Sequence, residues 1–441
     1  GLRRLVGRTG MVATHGKHFE LRHELSLGTR HRGAPLAGIR GERMITCEFN
    51  RRRFLQWTGA SAFATMATQL TWDDLANAAN SSPLAASTPI LVIITLYGGN
   101  DGLNTVVPYT DPTYQSIRSN IALSATDVLP LDTSSGLGFN SQMPMISALY
   151  GQNKVAIVLG TSYPNPSLSH FSSMAIWQSA SLDASATFGW IGRWLDRQPH
   201  SPFSAIGIGS TLSPLMVGEQ SVASMVDVGG IGLPWGPVAS ILPRMGVPSP
   251  SDGPLEKAAA TSISDLYATA KTLGPLVSTS PTGSFMSEQL SIVSTLINAN
   301  VPTRVWEVNL SSFDTHTGEV NDQNELLAEV DAAVGAFMTA IGSGAHANDV
   351  TVMVYSEFGR RVMSNAGQGT DHGTSAPVFI IGNSVKGGLY GEQPSLTSLD
   401  VNGNLQVVTD FRSVYSGLLE NVLGTTASDV IPGWNKTLSV V

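Results

Sequence analysis

Residues 90–104 read Ile-Leu-Val-Ile-Ile-Thr-Leu-Tyr-Gly-Gly-Asn-Asp-Gly-Leu-Asn. The first seven form an unbroken apolar and β-branched run with no polar alternation, which describes a strand buried on both faces, as inside a parallel sheet. The Gly-Gly-Asn-Asp-Gly that follows is turn chemistry and closes the strand. Runs of the same kind recur at 155–159, 350–355 and 378–381, with weaker ones at 204–208 and 304–310. Helical stripes lie between them. In 325–341, Leu326, Leu327, Val330, Val334, Phe337, Met338 and Ile341 share one face, and Phe411, Val414, Leu418, Leu419 and Val422 do so in 410–423. Segments 171–180 and 255–274 also read as helices. Buried strands alternating with amphipathic helices predict an α/β/α sandwich with a largely parallel central sheet. Residues 183–300 read as an inserted, variable region, loop-rich over 207–255 where Gly, Pro and Ser dominate.

The charge is unevenly spread. The net −8 of the 441 residues averages a +6 segment at 1–78 with a −14 body at 79–441. A body so poor in Lys and Arg is unsuited to nucleic acid or an anionic membrane. The single cysteine, Cys47, lies in the first segment, so the body can hold no disulfide or cysteine metal site. Residues 50–56, Asn-Arg-Arg-Arg-Phe-Leu-Gln, show the twin-arginine export pattern. An uncharged stretch from Phe54 to Trp72 and small residues at Ala76-Asn77-Ala78 complete a signal peptide over 44–78. That stretch is too weakly apolar for a spanning anchor, so no stable membrane anchor is expected after cleavage. Residues 1–43 read as an over-extended translation start or a disordered leader. Residues 79–441 are expected to form one domain.

In open parallel sheets, sites gather beyond the C-terminal ends of the strands. Three of the five body histidines, His170, His316 and His372, fall at such places, each beside Ser or Asp. With Asp101, Asp314, Glu357 and Asp371 they make a set of imidazoles and carboxylates suited to a divalent cation (Zn, Mn, Mg or Ca). Each piece alone has a plainer reading: Asn100-Asp101-Gly102 as a tight turn, Ser169 as a helix cap, Glu357 as a partner of Arg360 or Arg361. Their convergence on one sheet edge is what favours a centre.

Five ordered motifs carry a resemblance: Gly-Gly-Asn-Asp-Gly-Leu-Asn-Thr-Val-Val-Pro-Tyr (98–109), Ser-His-Phe-x-Ser-Met-x-Ile-Trp-Gln (169–178), Phe-Asp-Thr-His (313–316), Ser-Glu-Phe-Gly-Arg-Arg (356–361) and Gly-Thr-Asp-His-Gly (369–373), with Asp-Phe-Arg-Ser-Val-Tyr (410–415) last. The chain resembles, over 90–432, the bacterial twin-arginine-exported family of unknown function grouped with the alkaline phosphatase superfamily. The resemblance implies an alkaline-phosphatase-like fold and one or two divalent metals. Asp101, Asp314, His316, Glu357, Asp371 and His372 would be ligands, and one metal is favoured because Phe358 stands where an Asp-His-Gly motif supplies a second nitrogen. It implies Ser169 as nucleophile, with His170 and Arg360 catalytic and Asn104 and Arg361 binding substrate.

The function expected is hydrolysis of a phosphate or sulfate ester, small or polymeric, by a periplasmic, cell-surface or secreted protein that meets the twin-arginine translocase during export. Two alternatives remain open: a non-catalytic secreted binding protein on a degenerate phosphatase fold, and a flavodoxin-like serine esterase, for which Gly98-Gly99-Asn100-Asp101 supplies one motif but no preceding Gly-Asp-Ser block is present.

Overall fold

The structure, a computed structural model, describes residues 69–227, 247, 249 and 285–441. The chain divides into Gly1–Phe49 and Asn50–Val441, and every described residue belongs to the second unit. The strands are β1 (Ile90–Leu96), β2 (Val106–Val107), β3 (Val128–Pro130), β4 (Gly138–Asn140), β5 (Val155–Ser162), β6 (Ala205–Ile208), β7 (Ser224–Val226), β8 (Val305–Leu310), β9 (Val350–Ser356), β10 (Arg360–Ser364), β11 (Thr370–His372), β12 (Ala376–Gly382), β13 (Gly388–Tyr390) and β14 (Thr409–Asp410). The helices are α1 (Trp72–Ser81), α2 (Pro112–Ile117), α3 (Pro144–Gly151), α4 (His170–Ser179), α5 (Trp190–Leu195), α6 (Phe285–Asn298), α7 (Glu319–Gly342), α8 (Phe411–Asn421) and α9 (Ala427–Val430).

The central sheet runs β13-β5-β12-β9-β1-β8-β6-β7, with β14 also paired to β5. β1 lies parallel between β9 and β8, in register through Leu96↔Ser356 and Leu96↔Leu310, so three strand ends finish level. All described pairs in the sheet are parallel except those of β12, which is antiparallel to both β5 and β9. That reversal decides the site. The residues that precede β12 in the chain lie at the same edge as those that follow β1, β8 and β9.

Alternate residues of the strands feed two cores. Ile90, Val92, Ile94 and Leu96 pack with Trp306, Val308, Val352 and residues of α3, α6 and α7. Leu91 and Ile93 pack on the other face with Met353, Tyr355 and the aromatics Trp177, Trp190, Phe411 and Tyr415 of α4, α5 and α8. The expected α/β/α sandwich with a largely parallel sheet is therefore present, and all six expected strands appear in it. The helix expected at 255–274 lies outside the described residues.

Two expectations are corrected. Residues 183–300 are not a mere insertion: β6 and β7 come from this span and extend the central sheet beyond β8. Nor are residues up to 78 all outside the fold. Thr71 and Asp74 form a capping box that starts α1, Leu70 N–H donates to the Met225 carbonyl at 3.0 Å, and Leu75 is fully buried in the first core. A cut after Ala78 would remove part of that packing. No described helix is long and apolar enough to cross a membrane.

Candidate metal centre

Four loops meet at the edge. The loop after β5 brings Ser169 and His170, the loop after β8 Asp314 and His316, the end of β9 Glu357, and β11 Asp371 and His372. Gly98 and Gly99 let the loop after β1 lie under them. Both have positive φ (121° and 79°), and a Cβ on Gly98 would stand 2.5 Å from the Asp314 nitrogen, one on Gly99 2.3 Å from the Phe358 ring.

Asp314 is the hub. Its Oδ1 lies 3.0 Å from His316 Nε2 and 3.1 Å from His372 Nε2, and its Oδ2 lies 3.5 Å from His170 Nε2. The opposite nitrogens are occupied. His170 Nδ1 lies 2.8 Å from Glu357 Oε1, His372 Nδ1 2.7 Å from the Leu168 carbonyl, and His316 Nδ1 3.5 Å from Asp371 Oδ1. A carbonyl only accepts, so His372 Nδ1 must carry the hydrogen, and its neutral form presents the Nε2 lone pair to the centre. His316 Nε2 faces that Nε2 at 3.1 Å, and His170 Nε2 is a buried nitrogen with no hydrogen-bond partner. Nitrogen lone pairs turned towards one carboxylate, one of them orphaned, are the donor set of a cation. His170, Asp314 and His372 each offer a ligand atom, and these atoms lie within 4.8 Å of one another. The residues present therefore fit a divalent metal.

Burial opposes ionisation of Asp314, but the hydrogen bond and charge of Arg360 outweigh it and hold the carboxyl at about 2. The hydrogen bond to Glu357 raises the His170 imidazole above its ordinary value, against a smaller effect of burial. Phe358, fully buried, sits 4.9 Å, centroid to centroid, from both His170 and His372. Sequence reading saw in Phe358 only a missing ligand; it is the apolar wall against which both imidazoles are set.

Several expected roles are corrected. Glu357 is not a ligand in this arrangement: Oε1 accepts from His170 and from Gly98 N–H at 2.9 Å, Oε2 from Ser356 at 3.0 Å, so it orients His170. Arg360 cannot clamp a substrate. It is buried, and it donates to the carbonyls of Gly98, Gly99, Phe313 and Thr370 and to Asp314 Oδ1 at 2.7 Å. One guanidinium thus ties the loops together and fixes Asp314. Arg361 reaches the Asn402 carbonyl at 3.3 Å, away from the centre. Asp101 and Asn104 do not join the centre either. Both are buried around Arg118, which pairs with the Asp101 carboxylate at 2.5 Å and donates to Asn104 Oδ1 at 3.2 Å. Asp371, 61% exposed, touches the group only through His316. Ser169 stands where expected, as the exposed N-cap residue of α4, and its side chain makes no capping bond.

A model of the family described as "Protein of unknown function (DUF1501)" matches residues 257–416, the span that holds Asp314, His316, Glu357, Arg360 and His372. No curated protein sequence matches the chain. Among solved structures the chain is similar to a protein in the alkaline phosphatase superfamily from Vibrio parahaemolyticus (12% identity, 82% of this chain and 78% of that one, TM-score 0.39). It is also similar to an inactive form of the murine ectonucleotide pyrophosphatase/phosphodiesterase 5 in complex with AMP (9%, 77% and 96%, 0.38). A third is the lipoteichoic acid synthase LtaP from Listeria monocytogenes (10%, 82% and 80%, 0.35). Over residues 257–416 the chain is similar to the family described as protein of unknown function, DUF1501.

Proposed function

We propose that this chain is an exported, metal-dependent hydrolase of phosphate or sulfate esters, small or polymeric, that passes through the twin-arginine translocase to the periplasm, the cell surface or the medium. One observation carries the reading: His170, Asp314 and His372 converge within 4.8 Å while the far nitrogen of each of the two imidazoles is held by an acceptor. Two imidazole nitrogens and one carboxylate oxygen suit Zn or Mn better than Mg or Ca, which favour oxygen. His170, Asp314 and His372 would hold one ion, with His316 beside them. Such an ion, when bound, stabilises negative charge on the non-bridging oxygens of the ester.

The chain's own residues supply the rest. Glu357 and the Leu168 carbonyl hold the two imidazoles in the ligating tautomer. Arg360 keeps Asp314 ionised. Ser169 presents its hydroxyl at the first turn of a ten-residue helix, where backbone N–H groups favour an anion. Its oxygen would bond to phosphorus or sulfur as the alcohol leaves, and water would later release the acid.

A second reading, a non-catalytic exported binding protein, is favoured by one observation: Arg360, the guanidinium that touches Asp314, is consumed by loop carbonyls. The serine-esterase reading needs an imidazole on the Ser169 hydroxyl, and none bonds to it among the described residues. The test is elemental analysis of the exported protein followed by p-nitrophenyl phosphate, bis-p-nitrophenyl phosphate, p-nitrophenyl sulfate and p-nitrophenyl acetate, each with and without EDTA. Turnover of a phosphate or sulfate ester that EDTA abolishes supports the hydrolase. Bound metal without turnover supports the binder, and acetate turnover that survives EDTA supports the esterase.

A further inference from the structure

The loop that brings Ser169 to the centre reads Tyr163-Pro-Asn-Pro-Ser-Leu-Ser169, between the end of β5 and the start of α4. Pro164 and Pro166 have no N–H to donate, and among the described residues no backbone–backbone hydrogen bond involves 164–168. Side chains must therefore hold this backbone. Tyr163 is the buried one: it is 1% exposed, and its ring stands edge-on to Phe411 of α8, centroids 6.0 Å apart. A buried phenol needs partners for its hydroxyl, and this one has two. Ser167 N–H donates to Tyr163 Oη at 2.9 Å. Tyr163 Oη donates to Ser173 Oγ at 2.9 Å, and Ser173 Oγ donates to the Glu357 carbonyl at 2.6 Å. Each hydroxyl accepts one hydrogen and donates one, so the chain runs in one direction, from the loop to the end of β9.

Both ends of this chain adjoin the holder of an imidazole. Leu168, next to Ser167, gives its carbonyl to His372 Nδ1 at 2.7 Å, and Glu357 gives Oε1 to His170 Nδ1 at 2.8 Å. Ser169 N–H draws the loop in further by donating to Ser167 Oγ at 3.3 Å. An imidazole whose Nδ1 loses its acceptor can place its hydrogen on Nε2 instead, and it then offers no lone pair to a cation. One phenol hydroxyl, touching neither imidazole, thus stands behind the acceptors of both.

We infer that Tyr163 is a positioning residue of the Asp314 centre: its hydroxyl couples the Leu168 carbonyl to Glu357 and so sets His372 and His170 together in the tautomer that faces a cation. The inference deepens the metal-site part of the proposed function and rests on it only for the effect on ion binding. The tautomer itself is a property of the protein without metal. Two arms follow from the direction of the chain. The loop arm, through Ser167, serves His372, and the helix arm, through Ser173, serves His170.

The experiment is 15N NMR of the histidine-labelled full chain after chelation, at one fixed pH, followed by equilibrium Zn2+ binding. In the wild type the His372 signal, assigned with His372→Ala, should show its hydrogen on Nδ1. Tyr163→Phe keeps the ring and removes the hydroxyl. Its His372 signal should average the two tautomers, and its Zn2+ affinity should fall about 10-fold, the low end for a lost outer partner of a metal ligand. Ser173→Ala cuts only the helix arm, so it should shift the His170 signal and leave His372 on Nδ1. Phe411→Leu loosens the core against the same ring and should lower Tm without moving either imidazole signal, which separates positioning from stability. A Tyr163→Phe protein with the wild-type His372 tautomer and wild-type Zn2+ affinity would overturn the inference. So would a wild-type His372 that carries its hydrogen on Nε2, or a Phe411→Leu protein with the same change as Tyr163→Phe. A wild type that takes up no Zn2+, while Tyr163→Phe still releases the tautomer, would count against the hydrolase reading and not against the role of Tyr163.

Discussion

Asp314 and Asp101 are close relatives in place and opposites in use. Each follows a strand of the same parallel core, β8 and β1, and each is paired with a buried arginine, Arg360 and Arg118. Asp101 is 0% exposed and both its oxygens are taken by one guanidinium; Asp314 is 46% exposed, gives one oxygen to Arg360, and turns the other to an unpartnered imidazole nitrogen. The first is a closed charge balance and the second an unfinished one. A buried carboxylate must be neutralised by a fixed cation, a proton or a bound ion; Asp101 has the first, and other buried carboxyls have the second. The proton case is clearest at Glu307 on β8. It is buried with no ion-pair partner among the described residues, and burial pushes its carboxyl up to about 7.

Breaking the fixed cation of the open site should have the largest effect. Arg360→Met leaves the loop carbonyls of Gly98, Gly99, Phe313 and Thr370 without their shared donor; a loss of about 2–4 kcal/mol in urea unfolding is expected. A loss under about 1 kcal/mol, the value of an exposed pair, would mean that the loops hold together without it.

The proton case comes next. Glu307 has a folded pKa above its ordinary 4.5. The stability it contributes is therefore fully present below pH ~4.5 and is lost as pH rises through ~7, up to about 3 kcal/mol in all. Glu307→Gln should flatten that fall in chemical-denaturation profiles between pH ~4.5 and ~8. An unchanged profile in the variant would place the titration elsewhere.

The smallest effect concerns orientation. Glu357→Gln keeps an acceptor for His170 Nδ1 but removes its charge. Ion affinity should fall roughly 10–100-fold, as for other outer carboxylates of metal-bound histidines, while Tm without metal stays close to wild type. Full retention of affinity would show that His170 needs no charged partner.

The parallel core was legible because its strands are short, continuous apolar runs, and the motif after each strand announced which loops meet. What the sequence could not show was direction and partner choice. Nothing in Ala-Pro-Val-Phe-Ile-Ile (376–381) says that β12 runs against its neighbours, yet that reversal delivers His372 to the site. Asp101 looked equivalent to Asp314 because Arg118 lies 17 residues away on a different element. Arg360 and Glu357 were placed in the right loop with the wrong task, since burial, which a motif does not record, turned both inward. Residues 69–78 were set aside with the signal peptide, although Thr71-x-x-Asp74 already carried a helix-start pattern before Leu75. Leu75→Ala should accordingly cost about 2–5 kcal/mol in denaturant unfolding, whereas a neutral result would return this segment to the leader.

The central claim is that Asp314 and its histidines form an ion site and Asp101 does not. Equilibrium Zn2+ binding to chelator-treated protein, compared across wild type, His372→Ala and Asp101→Asn, tests it most directly. One equivalent is expected in wild type, retained in Asp101→Asn and lost in His372→Ala. No binding in wild type, or binding that survives His372→Ala and vanishes in Asp101→Asn, would contradict it.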